Sequence, residues 1–175
     1  MFRRIALATF ALVLLLSGAF SLGATQALAA PPGDDIVQVA INLNSSGPFA
    51  GSFDTLIAAV LAADPIVLET LSGNGQFTVF APTDAAFAKL QLDENNIGSL
   101  PQETLTQILL YHVARGRRNS EAVIGSSRIN TLQGGFLFQN GGILTDAQSR
   151  QSTIIVTDVP AANGIIHAID TVVLP

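Results

Sequence analysis

Few residues in this chain have side chains suited to acid–base or metal chemistry. It contains two histidines, His112 and His167, and no cysteine. Together with Asp84 or Asp170, these histidines offer the atoms that a metal site or a hydrolase would use, but they are far apart in the sequence and follow no known ligand spacing. A Gly-x-Ser-x-Gly elbow and a glycine-rich phosphate loop are both missing. We therefore predict no catalytic residue, no bound metal and no cofactor.

A structural role is the favoured interpretation of both histidines. His112 falls on the apolar face of a predicted helix, and His167 lies between Ile166 and Ala168 in a strand-like run. Buried polar groups in proteins are hydrogen-bonded, so we expect backbone or carboxylate partners for the ring nitrogens. A catalytic or ligand role for either histidine stays the alternative.

Four arginines form the main basic concentration of an acidic chain. Arg115, Arg117 and Arg118 lie together, and Arg128 follows ten residues later. Guanidinium groups match carboxylates and sulfates bidentately, which predicts a site for an anionic polysaccharide or an extracellular acidic protein surface. The alternative is a solvated turn, because surface charges often contribute little.

The first 29 residues have the features of a signal peptide. A positive start, Arg3-Arg4, precedes an apolar stretch at 5–16, and residues 27–29 have the small-x-small pattern of a cleavage site. We predict cleavage after Ala29, secretion to the extracellular space or periplasm, and no stable membrane insertion afterwards. The competing interpretation is an uncleaved anchor, which the serines and glycines within 17–23 weaken.

Cleavage would leave one acidic domain. We predict a flexible N-terminal arm at 30–35 and a single domain at 36–175, because no segment repeats another at a fixed period. Without Arg3-Arg4, six basic residues face thirteen acidic ones, a formal charge of −7. That charge disfavours nucleic acid as a partner. Without cysteine, the domain depends on its hydrophobic core rather than on disulfides.

The stretch at 77–90, FTVFAPTDAAFAKL, organises the elements that position these residues. Its first four residues are β-branched or aromatic and predict a buried strand, which Ala81-Pro82 ends. Thr83-Asp84 can then cap a short helix whose apolar face holds Phe87 and Leu90.

Helices are predicted on both sides of this strand. Ser52 is the candidate N-cap of an amphipathic helix, and Asp64-Pro65 ends it and starts a second short helix at 66–71. Ser99 with Gln102 predicts a capping box for a central helix. The apolar face predicted for the first helix consists of Phe53, Leu56, Ile57, Val60 and Leu61.

The C-terminal half changes to short β-prone runs separated by glycine-containing turns. This spacing is typical of an antiparallel meander, and helices early with hairpins late predict an α+β fold. The runs cover residues 129–132, 136–138, 143–144, 153–159 and 165–174.

Three segments resemble the fasciclin (FAS1) domain family. The stretch at 77–90 is similar to its first signature motif, and NGIIHAIDTVVLP at 163–175 is similar to its second. Between them, Tyr111-His112-Val113 resembles the family's Tyr-His segment. By this resemblance the chain is identified as a secreted, single-domain member of bacterial type. The fold implied is an α+β wedge of two mostly antiparallel β-sheets with several packed α-helices.

The resemblance also bears on sites. In animal members the Tyr-His segment is linked to receptor binding, which points to Tyr111, His112 and Val113 here. Many members continue with Val-Pro-Gly, whereas this chain has Ala114-Arg115-Gly116. The remaining signature positions are interpreted as structural, and they are Thr78, Phe80, Ala81, Pro82, Thr83, Asp84, Phe87, Asn163, Gly164, His167 and Asp170.

The resemblance implies a secreted, non-enzymatic binding module for cell adhesion or extracellular matrix or biofilm association. Its expected binding residues are the Tyr-His segment and the four arginines. The alternative is a secreted carrier of a small hydrophobic ligand, with a pocket between the sheets and the helices lined by residues such as Phe136 and Phe138. An exported hydrolase is the third possibility.

Overall fold

The computed structural model describes residues 33–175. The predicted signal peptide and residues 30–32 of the predicted arm lie outside the described residues. The helices are α1 (Ile36–Ser45), α2 (Asp54–Ala62), α3 (Pro65–Ser72), α4 (Asp84–Ala88), α5 (Gln102–Tyr111) and α6 (Ser120–Ile124), with a 3-10 turn at Ile97–Ser99. The strands are β1 (Phe77–Pro82), β2 (Val113–Arg115), β3 (Arg128–Asn130), β4 (Phe136–Asn140), β5 (Ile143–Thr145), β6 (Gln151–Ala161) and β7 (Gly164–Ile169).

The strands hydrogen-bond in the order β2-β1-β7-β6-β5-β4-β3. The pair of β1 and β7 is parallel, and every other pair in this order is antiparallel. The predicted α+β class and C-terminal meander are therefore confirmed. The two expected sheets are two halves of one continuous sheet, because the long strand β6 pairs with β7 in one half and with β5 in the other.

The first and last strands of this sheet, β2 and β3, lie next to each other, so the wedge is closed on that side. Ala114 of β2 forms an isolated antiparallel bridge with Thr131, and the Leu132 amide donates to the Val113 carbonyl at 2.7 Å. The two halves thus enclose an apolar cluster between them. Its fully buried members are Phe80, Tyr111, Ala114, Val123, Ile129, Leu137, Leu144, Ile169 and Val173.

A second, larger apolar cluster joins the helices to β1 and β7. It confirms Phe53 and Leu56 as core residues of the α2 segment, but Leu61 is 71% exposed. The buried face of α2 instead includes Thr55 and Ala59. The reason is tertiary, since α2 packs against the 3-10 turn and α5, and these neighbours select a face rotated from the most apolar one.

The N-cap of α2 differs from the prediction. The N-cap residue is Phe53 rather than Ser52, and its side chain forms no cap bond. The capping carboxylate comes instead from Asp84, which accepts hydrogen bonds from the amides of Asp54 (3.2 Å) and Thr55 (2.9 Å). Asp84 therefore does not cap its own helix, and the N-cap residue of α4, Thr83, forms no side-chain cap bond. The two helix N-termini are adjacent, because the Asp84 amide donates to the Ser52 carbonyl at 2.8 Å.

The capping box predicted for α5 is also wrong. The Ser99 hydroxyl donates to the Asn96 carbonyl at 2.7 Å, and the side-chain amide of Gln102 donates to the Ala63 carbonyl at 3.2 Å. Pro101 is the N-cap residue. Gln102 thus ties α5 to the end of α2 rather than capping its own helix.

Two aspartates cap the N-termini of α1 and α3. Asp64 accepts from the Ile66 amide at 2.9 Å, which confirms the predicted start of α3. Asp35 accepts from the Gln38 amide at 2.8 Å at the start of α1. The adjacent Asp34 carbonyl accepts from the Ala162 amide at 2.7 Å. The last two residues of the predicted arm are therefore hydrogen-bonded to the domain.

Candidate functional site

The arginine loop, defined here as residues 115–118, begins at the last residue of β2, the first strand of the hydrogen-bonded order. Its turn depends on Gly116, which has a φ of +86° that side chains disfavour. The Gly116 amide donates to the Gln76 carbonyl at 2.7 Å, just before β1. The loop backbone is thus tied to β1 directly after the chain leaves β2.

Two signature residues hold the backbone of the arginine loop. The buried Thr78 hydroxyl donates to the Gly116 carbonyl at 2.7 Å and accepts from the Arg118 amide at 2.9 Å. The Nε2–H of His167 donates to the Arg118 carbonyl at 2.9 Å. Both polar groups of the Arg118 main chain are therefore fixed, one by each signature motif.

His167 is a neutral structural residue in this arrangement. Its Nδ1 accepts from the Asp158 amide at 3.2 Å, so Nε2 carries the proton, and its ring stacks on Phe80 with centroids 5.8 Å apart. Burial lowers the pKa of His167, although the hydrogen bond to Arg118 and the charge of Asp158 act in the opposite direction. The predicted backbone partners of this ring are found.

The arginine side chains of the loop point outward to different degrees. Arg115 and Arg117 are exposed and Arg118 is half-buried. One guanidinium nitrogen of Arg117 donates to the Ala161 carbonyl at 2.8 Å, and one of Arg118 donates to the Ser126 hydroxyl at 3.4 Å. Each of these two side chains keeps further N–H groups for a partner.

Arg128 extends this basic surface onto β3. It is exposed, and its guanidinium carbon lies 4.3 Å from the centre of the Phe136 ring, a cation–π geometry. The ion pairs found among residues 33–175 are Lys89 with Asp170 and Arg150 with Asp146. Within that range, the arginine loop and Arg128 therefore form no salt bridge.

The Tyr-His segment, which the resemblance links to receptor binding, lies inside the domain. Tyr111 has no exposed surface, and His112 and Val113 are each 2% exposed. The Tyr111 hydroxyl donates to the Phe136 carbonyl at 2.6 Å and accepts from the Ala147 amide at 3.1 Å. These side chains link α5 to the meander and do not form part of the surface.

His112 also has two backbone partners, as predicted for a core histidine. Its Nδ1–H donates to the Ile108 carbonyl at 2.8 Å, and its Nε2 accepts from the Val173 amide at 3.2 Å. Complete burial lowers the pKa of His112 to about 4, against the opposing effect of the Ile108 carbonyl. The ring is thus neutral and fully hydrogen-bonded at neutral pH.

The second signature motif joins elements that are distant in sequence. The Asn163 side chain accepts from the Ile36 amide at 2.8 Å and donates to the carbonyls of Leu71 (2.6 Å) and Gly73 (2.9 Å). Gly164 pairs with Phe77, and a Cβ atom at Gly164 would collide with the Phe77 carbonyl oxygen. This motif therefore fixes the start of α1 and the end of α3 against the parallel strand pair.

Asp170 and the remaining signature residues are structural as well. Asp170 accepts from the Thr153 amide at 2.8 Å and lies 3.7 Å from the Lys89 ammonium. Burial acts to raise the pKa of Asp170, but these partners outweigh it and lower the pKa. The other signature side chains, those of Phe80, Ala81, Pro82, Thr83 and Phe87, are buried.

An apolar cavity of about 140 Å³ lies between the helices and the sheet. Phe136 and Phe138 do not line it, so the expected lining of a carrier pocket is wrong at these positions; both side chains are on the outer face of β4. The signal in the sequence for the actual lining is the apolar stripe of Ile57, Val60 and Leu61, which α2 does not fully bury. The cavity walls include Ile36, Ala40, Ile57, Val60, Leu109 and Ile166.

The described residues also bear on metal sites and membrane spans. Among residues 33–175, no three His, Cys, Asp or Glu side chains come together in a way that could hold a metal ion. In the same range no single helix is long and apolar enough to cross a membrane, and the pair of α2 and α3 reaches that length only with a bend of 115°.

Comparison with known proteins agrees with this architecture. Residues 51–175 match the model of the fasciclin domain. The FAS1 domain pair from the insect cell adhesion molecule fasciclin I superimposes with a TM-score of 0.62 at 18% identity, covering 82% of this chain and 52% of that one. This similarity confirms the FAS1-like fold.

Three relatives have substantial sequence identity. Protein sll1483 of Synechocystis is 41% identical over 129 residues, which are 71% of this chain and 68% of that protein. The cell surface glycolipoprotein MPB83 of Mycobacterium bovis is 32% identical over 75% of this chain and 58% of its own length. The transforming growth factor-beta-induced protein ig-h3 of Sus scrofa is 35% identical over 70% of this chain, which spans only 18% of that protein. By the matched domain model and these identities, the chain belongs to the fasciclin domain family.

Proposed function

We propose that this protein is a secreted binding module for cell adhesion or extracellular matrix or biofilm association, and that it binds an anionic surface through the arginine loop and Arg128. The observation that carries this proposal is the fixed loop backbone. Thr78 and His167 hold the main chain of Arg118 from two different strands. A loop held in this way loses little conformational entropy on binding, which favours affinity.

The chemistry of the loop selects the partner class. An anionic polysaccharide or an acidic protein offers carboxylates or sulfates, which guanidinium groups bind bidentately. The rest of the domain is acidic, with 13 acidic against 8 basic residues in the whole chain. A polyanion is therefore repelled over most of the surface and attracted at the arginines, while the net charge disfavours nucleic acid as a general partner.

The buried Tyr-His segment has a supporting role in this proposal. Val113 starts the strand that ends in the arginine loop, and the Phe80 amide donates to the His112 carbonyl at 2.9 Å. The segment fixes where the loop begins, and the partner contacts the exposed arginines that follow. This replaces direct receptor contact by Tyr111, His112 and Val113.

The relatives support an extracellular location and a non-enzymatic role. MPB83 is named as a cell surface glycolipoprotein, and a cell-surface setting suits a protein with the N-terminal sequence described above. Both histidines use their two ring nitrogens in backbone hydrogen bonds. Catalysis by either ring would require breaking these contacts, so binding is the better account.

The test is binding of the purified protein to a sulfated polysaccharide (heparin), a carboxylated one (alginate) and neutral dextran over a salt series. Exposed charge contacts are screened over about 8 Å at physiological salt, so binding to the anionic polymers should weaken as salt rises. Replacing Arg115, Arg117 and Arg118 by alanine removes three contacts worth about 0.2–1 kcal/mol each, which raises Kd roughly 3- to 150-fold.

The matched control removes a single positive charge at two different places. Arg115→Ala should weaken binding, whereas Lys89→Ala, which removes an exposed charge next to Asp170, should leave it unchanged. If the triple variant binds like the wild type at every salt concentration, the arginine loop is not the site. If the wild type binds dextran as tightly as heparin and alginate, the partner is not recognised by its charge.

A further inference from the structure

The cavity between the helices and the sheet lies within the larger apolar cluster. Helices α1, α2 and α3 form its sides, while β1, β7, the start of β2 and the end of α5 form its floor. Protein interiors normally leave few voids larger than a water molecule. A volume of about 140 Å³ is close to that of an engineered apolar cavity of about 150 Å³ that stays dry and admits benzene. The space is therefore large enough for a small hydrocarbon group.

The lining of the cavity excludes polar ligand groups. His112 is the one polar side chain among the residues that line it. Its ring already donates to the Ile108 carbonyl and accepts from the Val173 amide. A polar group placed inside would therefore lose its water without gaining a hydrogen bond, which is unfavourable. Only hydrocarbon suits this interior.

The mouth of the cavity indicates what the rest of the ligand is like. Two apolar side chains at the mouth, Ile41 and Leu61, are exposed to solvent, so a chain leaving the cavity passes over apolar surface before reaching water. The three helices α1–α3 contain Asp54 and Glu69 and no lysine or arginine, and Asp64 lies between α2 and α3. An anionic headgroup would thus meet like charge and no counter-charge.

We propose that this cavity binds the alkyl chain of an amphiphile whose headgroup is not anionic, the chain lying between α1 and α2 and the headgroup lying in water beyond Ile41 and Leu61. This site is distinct from the arginine loop, which follows β2. The two sites therefore differ in the ligand class that they select, one polyanionic and the other apolar without negative charge.

The experiment titrates the purified protein with three amphiphiles that share an eight-carbon chain, each below its micellar concentration, and follows backbone amides by NMR. The probes are n-octyl glucoside, octanoate and octyltrimethylammonium. Saturable shifts with octyl glucoside should be confined to the elements that line the cavity, namely α1, α2, α3, the end of α5, β1, the start of β2, and β7. Octanoate should bind at least tenfold more weakly than either octyl glucoside or octyltrimethylammonium. Shifts outside these elements, no shifts at all, or octanoate binding as tightly as octyl glucoside would each contradict the proposal.

Two variants and one control test the position of the ligand. Ala40→Leu fills the cavity from α1 and should weaken octyl glucoside binding at least tenfold, while the matched Ala122→Leu on the exposed side of α6 should leave it unchanged. Leu61→Ser changes a largely exposed residue, so the fold should survive, and binding should weaken about threefold. If folded Ala40→Leu binds like the wild type, the ligand is not in this cavity; if Ala40→Leu does not fold, unchanged binding by Leu61→Ser refutes the proposal.

Discussion

Acid should destabilise this protein through His112 in a defined pH range. The ring is completely buried and neutral, and its pKa is lowered to about 4 from an ordinary 6.5. Protonation would place a charge in the interior and convert Nε2, which accepts from the Val173 amide, into a donor. The folded state therefore resists a proton that the unfolded chain accepts readily.

The sign and size of the effect follow from proton linkage. Between pH 6.5 and about 4 the unfolded chain binds a proton at His112 and the folded chain does not, so stability decreases as pH falls. The loss is about 1.4 kcal/mol for each pH unit and about 3 kcal/mol over the whole range. His167, whose pKa burial also lowers, adds to the loss. The lowered pKa values of Asp146 and Asp170 place their contributions below this range, because each carboxyl starts from 3.8.

Urea unfolding at 25 °C, measured at several pH values between 7 and 4, tests the linkage. The wild-type free energy of unfolding should fall across this range, and His112→Gln should remove most of the slope even if it lowers the stability at pH 7. The matched control is His167→Gln, which should keep the part of the slope that comes from His112. A wild-type stability that is flat from pH 7 to 4, or a slope that His112→Gln leaves unchanged, would refute the buried, neutral imidazole.

Two further predictions concern the polar contacts that hold the arginine loop and α2. Thr78→Val keeps the side-chain shape but removes the hydrogen bonds to Gly116 and Arg118, so it should lower the free energy of unfolding by about 2 kcal/mol. The control, the exposed Thr104→Val, should change the free energy of unfolding by less than about 0.5 kcal/mol in the same urea assay. Asp84→Ala removes the carboxylate that caps α2 and should lower the free energy of unfolding by about 1 kcal/mol. Asp84→Asn should retain part of this stability, because its side-chain oxygen still accepts hydrogen bonds. Equal losses in the two variants would contradict the capping role.

The parts of the fold that follow local patterns could be predicted from the sequence. The β-prone run at Phe77 gave β1, and the meander of β3 to β7 followed from short β-prone runs between glycine-containing turns. The short elements β2 and α6 were not predicted, because neither Val113–Arg115 nor Ser120–Ile124 is a run of β-prone residues or an amphipathic repeat. Their formation depends on partners such as Thr131, which pairs with the β2 residue Ala114.

The residue types of the candidate site could be predicted from the sequence, but the hydrogen bonds that hold its backbone could not. The arginine cluster is visible in the sequence, whereas the Thr78 hydroxyl joins residues 38 and 40 positions away. The same limit applies to Asp84, which caps a helix that begins 30 residues earlier. The lining of the cavity was predicted wrongly because the packing of α5 and the 3-10 turn, rather than the apolar stripe of α2, decides which face of that helix is buried.

The geometry of the arginine loop separates the residues that hold it from those that could recognise a partner. Thr78 and His167 bind main-chain atoms of Gly116 and Arg118, and they make no demand on the side chains at positions 115, 117 and 118. Gly116 is the exception, because its positive φ restricts the residue type there. The same frame can therefore present acidic, neutral or basic side chains without loss of its anchoring bonds. In this chain it presents three arginines on an acidic domain. Under the proposed function, these side chains would determine the specificity of the loop, and the signature motifs would determine only their position.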